Sequence, residues 1–210
     1  MNILDITIRK TAMPLLALGL LALSSCSSFL DEEPTNSSNA GSSIATTSDA
    51  QVAINGMMNL MSSSSYYGRN FLLYGDAKGG DLTIYANGRG NDALYTFNHT
   101  PTSGSYSGFW SQGYYCIMQA NNLLENIEKL QADGSTTFNY YKGEALSLRA
   151  LFYFDLVRLY GMPYNYNKSA LGVPLVLTTL AADAQPHRAT VEEVYKQIIS
   201  DLTEGQKLMA

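Results

Sequence analysis

Two cysteines, two histidines and one tryptophan are all that 210 residues contain of those types. This scarcity closes off several chemistries. His99 and His187 stand alone, outside any HExxH or Cys/His cluster, so no zinc site is expected. No GxSxG and no Walker pattern occurs, so neither a hydrolase elbow nor a nucleotide loop is indicated, and no cofactor is implied. Positive charge is also scarce. With 13 basic against 18 acidic residues and no basic patch or stripe, nucleic acid is not an expected partner. Long apolar runs are missing too. Met13–Leu23 is 11 residues, about half of the roughly 20 needed to span a bilayer, and no second such run follows.

What that run does have is context. Arg9 and Lys10 precede it, and it ends in Leu23-Ser24-Ser25-Cys26. A short apolar core behind basic residues reads as a cleavable signal peptide, residues 1–25. Leu, two small residues and Cys resemble the bacterial lipobox, in which the cysteine is acylated and becomes the first residue. Cys26 is therefore the expected lipid anchor, holding the chain to a membrane that nothing spans. Loss of Asp5, Arg9 and Lys10 leaves 11 basic and 17 acidic residues. With Cys26 lipidated, Cys116 has no intramolecular partner and is expected to be a small buried apolar residue. Residues 26–47 form a tether rich in Ser, Thr, Asn and Gly, a composition that cannot bury a core. Its acidic cluster Asp31–Glu33 resembles the signal that places some lipoproteins on the outer face of the outer membrane.

Residues 48–210 carry helical periodicity. A first helix is expected over Asp49–Ser62, with Ser48 and Gln51 at capping-box spacing and Ala50, Ala53, Met57 and Leu60 on one face. Gly56 costs about 1 kcal/mol against Ala within a helix, which marks a close helix contact there. A second helix is expected over Ser111–Leu130. Trp110, Tyr114, Ile117, Asn121, Leu124, Ile127 and Leu130 fall at offsets 0, 4, 7, 11, 14, 17 and 20, and Asn121 within that face needs a specific hydrogen bond. The link Asp133-Gly134-Ser135 leads into Gly143–Tyr164, apolar on two faces and so packed on both sides. Glu144 and Arg149 inside it each require a fixed partner. Gly161 as a left-handed cap and Pro163 end it. Leu171–Val176 reads as extended, and a final helix starts at Thr190 with Glu193 completing a capping box and Val191, Val194, Ile198 and Leu202 on one face.

Between the first two helices, residues 66–108 have no helical period. Phe71–Tyr74 and Leu82–Tyr85 read at most as short strands, in a stretch rich in Tyr, Gly and Asn. A pyranose lies with its C–H face on an aromatic ring, while its hydroxyls need planar amide, carboxylate or guanidinium partners. Tyr85, Asn87, Arg89, Asn91, Asp92 and Tyr95 offer both kinds, among glycines that let a backbone approach. The competing reading is that these tyrosines pack on the helices. Trp110, in the first turn of an amphipathic helix, reads as core rather than as a platform. Asp76, Asp81 and Asp92 could in principle supply a glycosidase carboxylate pair, but Asp in Gly-rich turns is ordinary turn chemistry, and no enzyme is expected.

Ala150-x₃-Phe154 followed by Pro163 resembles the second helix of a tetratricopeptide unit, and one such pair needs stacked neighbours. The resemblance then widens. Cys26-Ser27-x-Phe29-Leu30-Asp31 comes first, then Phe109-Trp110 with Tyr114, Ile117 and Asn121. Next come Gly143-Glu144-Ala145-x₃-Arg149-Ala150 and Tyr160-Gly161-x-Pro163, and finally Arg188-x-Thr190-x₂-Glu193-Val194-Tyr195 with Asp201-Leu202. Together these resemble the SusD/RagB family. The resemblance implies a mainly α fold of tetratricopeptide-like helix pairs with a long irregular loop region. It also implies an outer-membrane, surface-exposed lipoprotein that binds glycan or another nutrient and caps a SusC-like TonB-dependent transporter. Members are usually more than twice this long, so the chain is expected to correspond to their N-terminal part. A module that only docks on the transporter, without touching glycan, is the alternative expectation.

Overall fold

A computed structural model describes residues 44–83, 92–98, 100 and 107–210. The elements run α1 (Thr47–Met61), α2 (Asn70–Gly79), α3 (Asp92–Tyr95), α4 (Ser107–Leu130), α5 (Asn139–Tyr160), α6 (Tyr164–Asn167), β1 (Leu171–Pro174), β2 (Arg188–Thr190) and α7 (Val191–Met209). The fold is mainly helical, with α5 at its centre. Helices α4 and α7 flank α5, and α1 lies against both α4 and α5. This is the two-sided burial that the apolar pattern of α5 requires. Its Phe152, Tyr153 and Leu156 are fully buried, as are Ile117 and Ile127 of α4, Ile54 of α1 and Val194 of α7.

Helix starts follow their caps. The N-cap of α1 is Thr46, not the expected Ser48. Its hydroxyl accepts the Asp49 N–H at 3.2 Å, and the Asp49 carboxylate takes the Thr46 N–H at 2.8 Å. A carboxylate facing several orphan N–H groups at the positive helix end outcompetes the neutral Gln51, which bonds Asn55 instead. The α7 cap is the expected one, Thr190 with Glu193. Gly56 marks no close contact; it is exposed, with open space around it. The tight glycine contact lies between α5 and α7, where a Cβ on Gly143 would come 2.8 Å from the Gly205 carbonyl oxygen.

Three other expectations are corrected. Phe71–Tyr74 belongs to helix α2, not to a strand, because the Phe71 ring is drawn into an aromatic cluster with Tyr66, Tyr67 and Phe109. Leu82 and Thr83 form no strand, while Ile84 and Tyr85 lie outside the described residues. Gly161 is extended (φ −103°, ψ 168°) rather than left-handed. Glycine is needed there for space, since a Cβ would meet the Val157 carbonyl oxygen at 2.7 Å. On α7 the buried stripe passes through Val191, Val194, Ile198, Asp201 and Gly205, leaving Leu202 48% exposed. The extended Leu171–Val176 segment provides β1, which pairs antiparallel with β2, Leu171 opposite Thr190 and Pro174 opposite Arg188. Cys116 is buried as expected, and burial pushes its thiol up to about 11, so it stays protonated and unreactive.

Candidate functional site

The buried charges are structural. Arg149, on α5, forms a two-pronged ion pair with Asp201 of α7, Nε and Nη2 each 2.8 Å from a carboxylate oxygen. Its Nη1 donates to Asn121 Oδ1 at 2.9 Å, and the Asn121 amide donates to the Val176 carbonyl at 2.8 Å. Tyr153 adds a reciprocal pair, its hydroxyl donating to the Val176 carbonyl and accepting the Val176 N–H, both at 2.7 Å. Burial pushes that hydroxyl up to about 12, so it remains a donor. Arg149 and Asn121 thus have the fixed partners that their burial demands, and the network straps the segment after β1 across α4 and α5. Glu144 does not follow: its Oε2 is shielded from solvent and has no hydrogen-bond partner.

A second buried carboxylate, Asp155, organises the opposite side of α5. It is fully buried. Its Oδ2 accepts the hydroxyls of Tyr66 and Tyr67, each at 2.7 Å, and its Oδ1 accepts Arg158 Nη2 at 2.7 Å. Both tyrosine hydroxyls are held well above their ordinary ionisation range, by burial first and by Asp155 second. The Arg158 guanidinium lies 4.3 Å from the Phe154 ring centroid and 5.6 Å from that of Phe71.

Of the expected sugar contacts, Tyr85, Asn87, Arg89 and Asn91 lie outside the described residues, as does His99. Asp92 opens α3, and Tyr95 closes it with 38% of its surface exposed. What the structure adds is the surface beside α3, which packs on α2. There Lys78 Nζ sits 4.8 Å over the Tyr74 ring and 5.3 Å over the Phe97 ring. Phe97 is 63% exposed and holds a left-handed backbone (φ 56°), a conformation uncommon for an aromatic residue. The Tyr160 hydroxyl is pushed up by burial first and by the charge of Tyr74 second, and is lowered by a bond from the Trp110 backbone. Trp110 is half-buried. It packs on the core as read from its helix position, yet its ring also meets Tyr160 edge-on at 4.9 Å and Tyr114 at 4.9 Å. Lys78 thus joins the Tyr74 and Phe97 rings, while Tyr160 joins Trp110 to Phe109.

Sequence reasoning missed Tyr74, Lys78, Phe97, Tyr160 and Asp155 as members of these sets. Tyr160 and Asp155 were legible only as positions on α5, and nothing in the spacing of Lys78 and Phe97 joins them. Asp76 and Asp81 belong to the turn closing α2, where the Asp76 carbonyl accepts the Asp81 N–H at 3.0 Å. Among the described residues, no group of three or more His, Cys, Asp or Glu converges as metal ligands would.

Residues 28–210 match a family described as SusD-like, starch-binding and associating with the outer membrane. The chain belongs to the SusD-like family. It is 33% identical over 188 residues to SusD-like protein P2 of Formosa agariphila, covering 87% of this chain and 35% of that protein. Among solved structures, a SusD superfamily protein from Bacteroides vulgatus superposes with a TM-score of 0.72 at 34% identity, covering 80% of this chain and 38% of the other. A SusD-like carbohydrate binding protein from Bacteroides vulgatus gives 0.67 at 28% identity, over 79% and 36%. The SusD-like chain described here therefore spans about a third of the length of the relatives that it matches.

Proposed function

We propose that this SusD-like chain is part of a surface glycan-binding lipoprotein. Its lipid would be carried on Cys26 at the outer membrane, facing the cell exterior, and bound oligosaccharide would pass to a SusC-like TonB-dependent transporter. The observation that carries the reading is the surface where Lys78 lies over the Tyr74 ring and the exposed Phe97 ring, beside the helix that holds Asp92 and Tyr95. Exposed ring faces suit the apolar face of a pyranose, and the amides and guanidinium of Asn87, Arg89 and Asn91 suit its hydroxyls. Binding without turnover is expected, since the sequence carries no GxSxG, HExxH or Walker pattern. Tyr85→Ala and Arg89→Ala should each weaken binding of a starch oligosaccharide such as maltoheptaose by about 1–3 kcal/mol, the range for losing a stacked ring or a charged hydrogen bond. Calorimetry on the full chain measures this. Unchanged affinity in both variants, with unchanged helical content, would move the contact surface elsewhere.

A further inference from the structure

The helices that carry the aromatic surface are attached to the body in an unusual way. Among the described residues, α2 packs its backbone closely on α3 rather than on the large helices. It has no side-chain N-cap, since Arg69 makes no capping bond. Its link to the core runs through side chains of the preceding turn and its own first residues. Tyr66 is fully buried, with Phe109 at 5.0 Å and Phe152 at 6.2 Å. Phe71 stacks on Phe109 at 5.5 Å, with an interplanar angle of 20°. Aromatic contacts alone leave freedom to slide, because they are tolerant of direction. A directional element is Asp155: one buried carboxylate on α5 fixes the hydroxyls of Tyr66 and Tyr67 at 2.7 Å each, and holds Arg158 against Phe71. Three charge-assisted bonds on one carboxylate are strong and geometrically specific.

We infer that Asp155 is a positioning residue: through Tyr66, Tyr67 and Arg158 it sets the placement of the α2–α3 lobe on the helical body, and with it the aromatic surface of Tyr74, Lys78 and Phe97. The consequence for ligand rests on the glycan-binding reading above; the consequence for the lobe does not. The placement is decided from the body side, by a residue that touches no ligand. Loss of the carboxylate leaves the Arg149 network, the α4–α5–α7 packing and the helix caps intact, so the lobe loosens before the body does.

Two variants of the full chain test this, Asp155→Asn and Tyr67→Phe. The second removes one hydroxyl from a half-buried ring and makes no cavity, so it guards against a folding failure of the first. Hydrogen exchange read along the chain should rise about tenfold or more over residues 70–79 and 92–98 while residues 145–157 keep their protection. If the lobe is correctly placed for only about a fifth of the time, the apparent Kd for maltoheptaose should rise about fivefold. An equal rise in exchange along all helices, or none in the lobe, overturns the inference. Local loosening with unchanged maltoheptaose affinity upholds Asp155 as the positioning residue and overturns the assignment of glycan to the α2–α3 surface. A wild-type chain that fails to bind maltoheptaose removes the glycan reading, and the exchange pattern then decides the role of Asp155 by itself.

Discussion

At the residue scale, the energetics concentrate in two carboxylates on either side of α5. Arg149 is 7% exposed and Asp201 3% exposed. Arg149→Ala leaves Asp201 buried with only the Gln197 amide, at 2.8 Å, to satisfy it. Breaking a buried pair from one side costs about 3–5 kcal/mol, because the remaining charge is uncompensated. Urea denaturation should show that loss, together with freed amides in the strap around Val176. The double change Arg149→Met with Asp201→Leu should recover a good part of it, since two apolar groups leave no orphan charge. If the single variant costs less than about 1 kcal/mol, the network is not what holds the strap.

At the element scale, two capping boxes define the outer helices, and both depend on carboxylates. Asp49 is held below the ordinary carboxylate range by the Ala45 N–H first and by Thr46 second. Glu193 is lowered by the Thr190 hydroxyl and backbone. A lowered folded value means that the ionised form is favoured by folding. The contribution is therefore complete above the ordinary carboxylate pKa and is lost as pH falls through the lowered value. Thr46→Ala should cost about 1 kcal/mol, the usual worth of a cap hydroxyl, and fray the first turn of α1. Circular dichroism across an acid titration measures both effects. Acid sensitivity identical in Thr46→Ala and wild type would show that the α1 cap does not contribute to it. The end of α5 is steric instead, Gly161 fitting where a Cβ would meet Val157, and it should be indifferent to pH.

At the scale of the whole molecule, two features bear on what it contacts. Cys26 follows Leu23-Ser24-Ser25, and no helix among the described residues is long and apolar enough to cross a membrane. Cys26→Ala is expected to shift the protein from the membrane pellet to the soluble fraction. Retention in the pellet after a high-salt wash would rule out the lipid anchor. The second feature is the outward side of α5 and α7. Ile199 is 62% exposed and Leu202 48%, and Leu202 lines an open groove of about 510 Å³ with Ser147, Gln206 and Met209. Exposed apolar side chains such as these offer contacts for hydrophobic dyes. The unlipidated chain should bind such a dye, and Ile199→Lys with Leu202→Lys should suppress it. Equal dye signals from both would place the accessible apolar surface elsewhere.

Much of this architecture is written in local pattern. The helices α1, α4, α5 and α7 and the α7 cap follow from apolar period and capping chemistry, which act over a few residues, and the family follows from motifs spread along nearly the whole chain. Local pattern also announced that Arg149 and Asn121 need partners, since burial on an apolar face is itself readable. It could not name the partners, because Asp201 and Val176 lie 52 and 55 residues away, respectively, and only packing brings them together. It misread α2, whose helix depends on the Phe71 ring finding Tyr66, Tyr67 and Phe109. It was silent on the surface where Lys78 meets Tyr74 and Phe97. Helical period reports which side of an element is buried; which rings share a surface and which carboxylate orients them is decided only when elements distant in sequence close on one another.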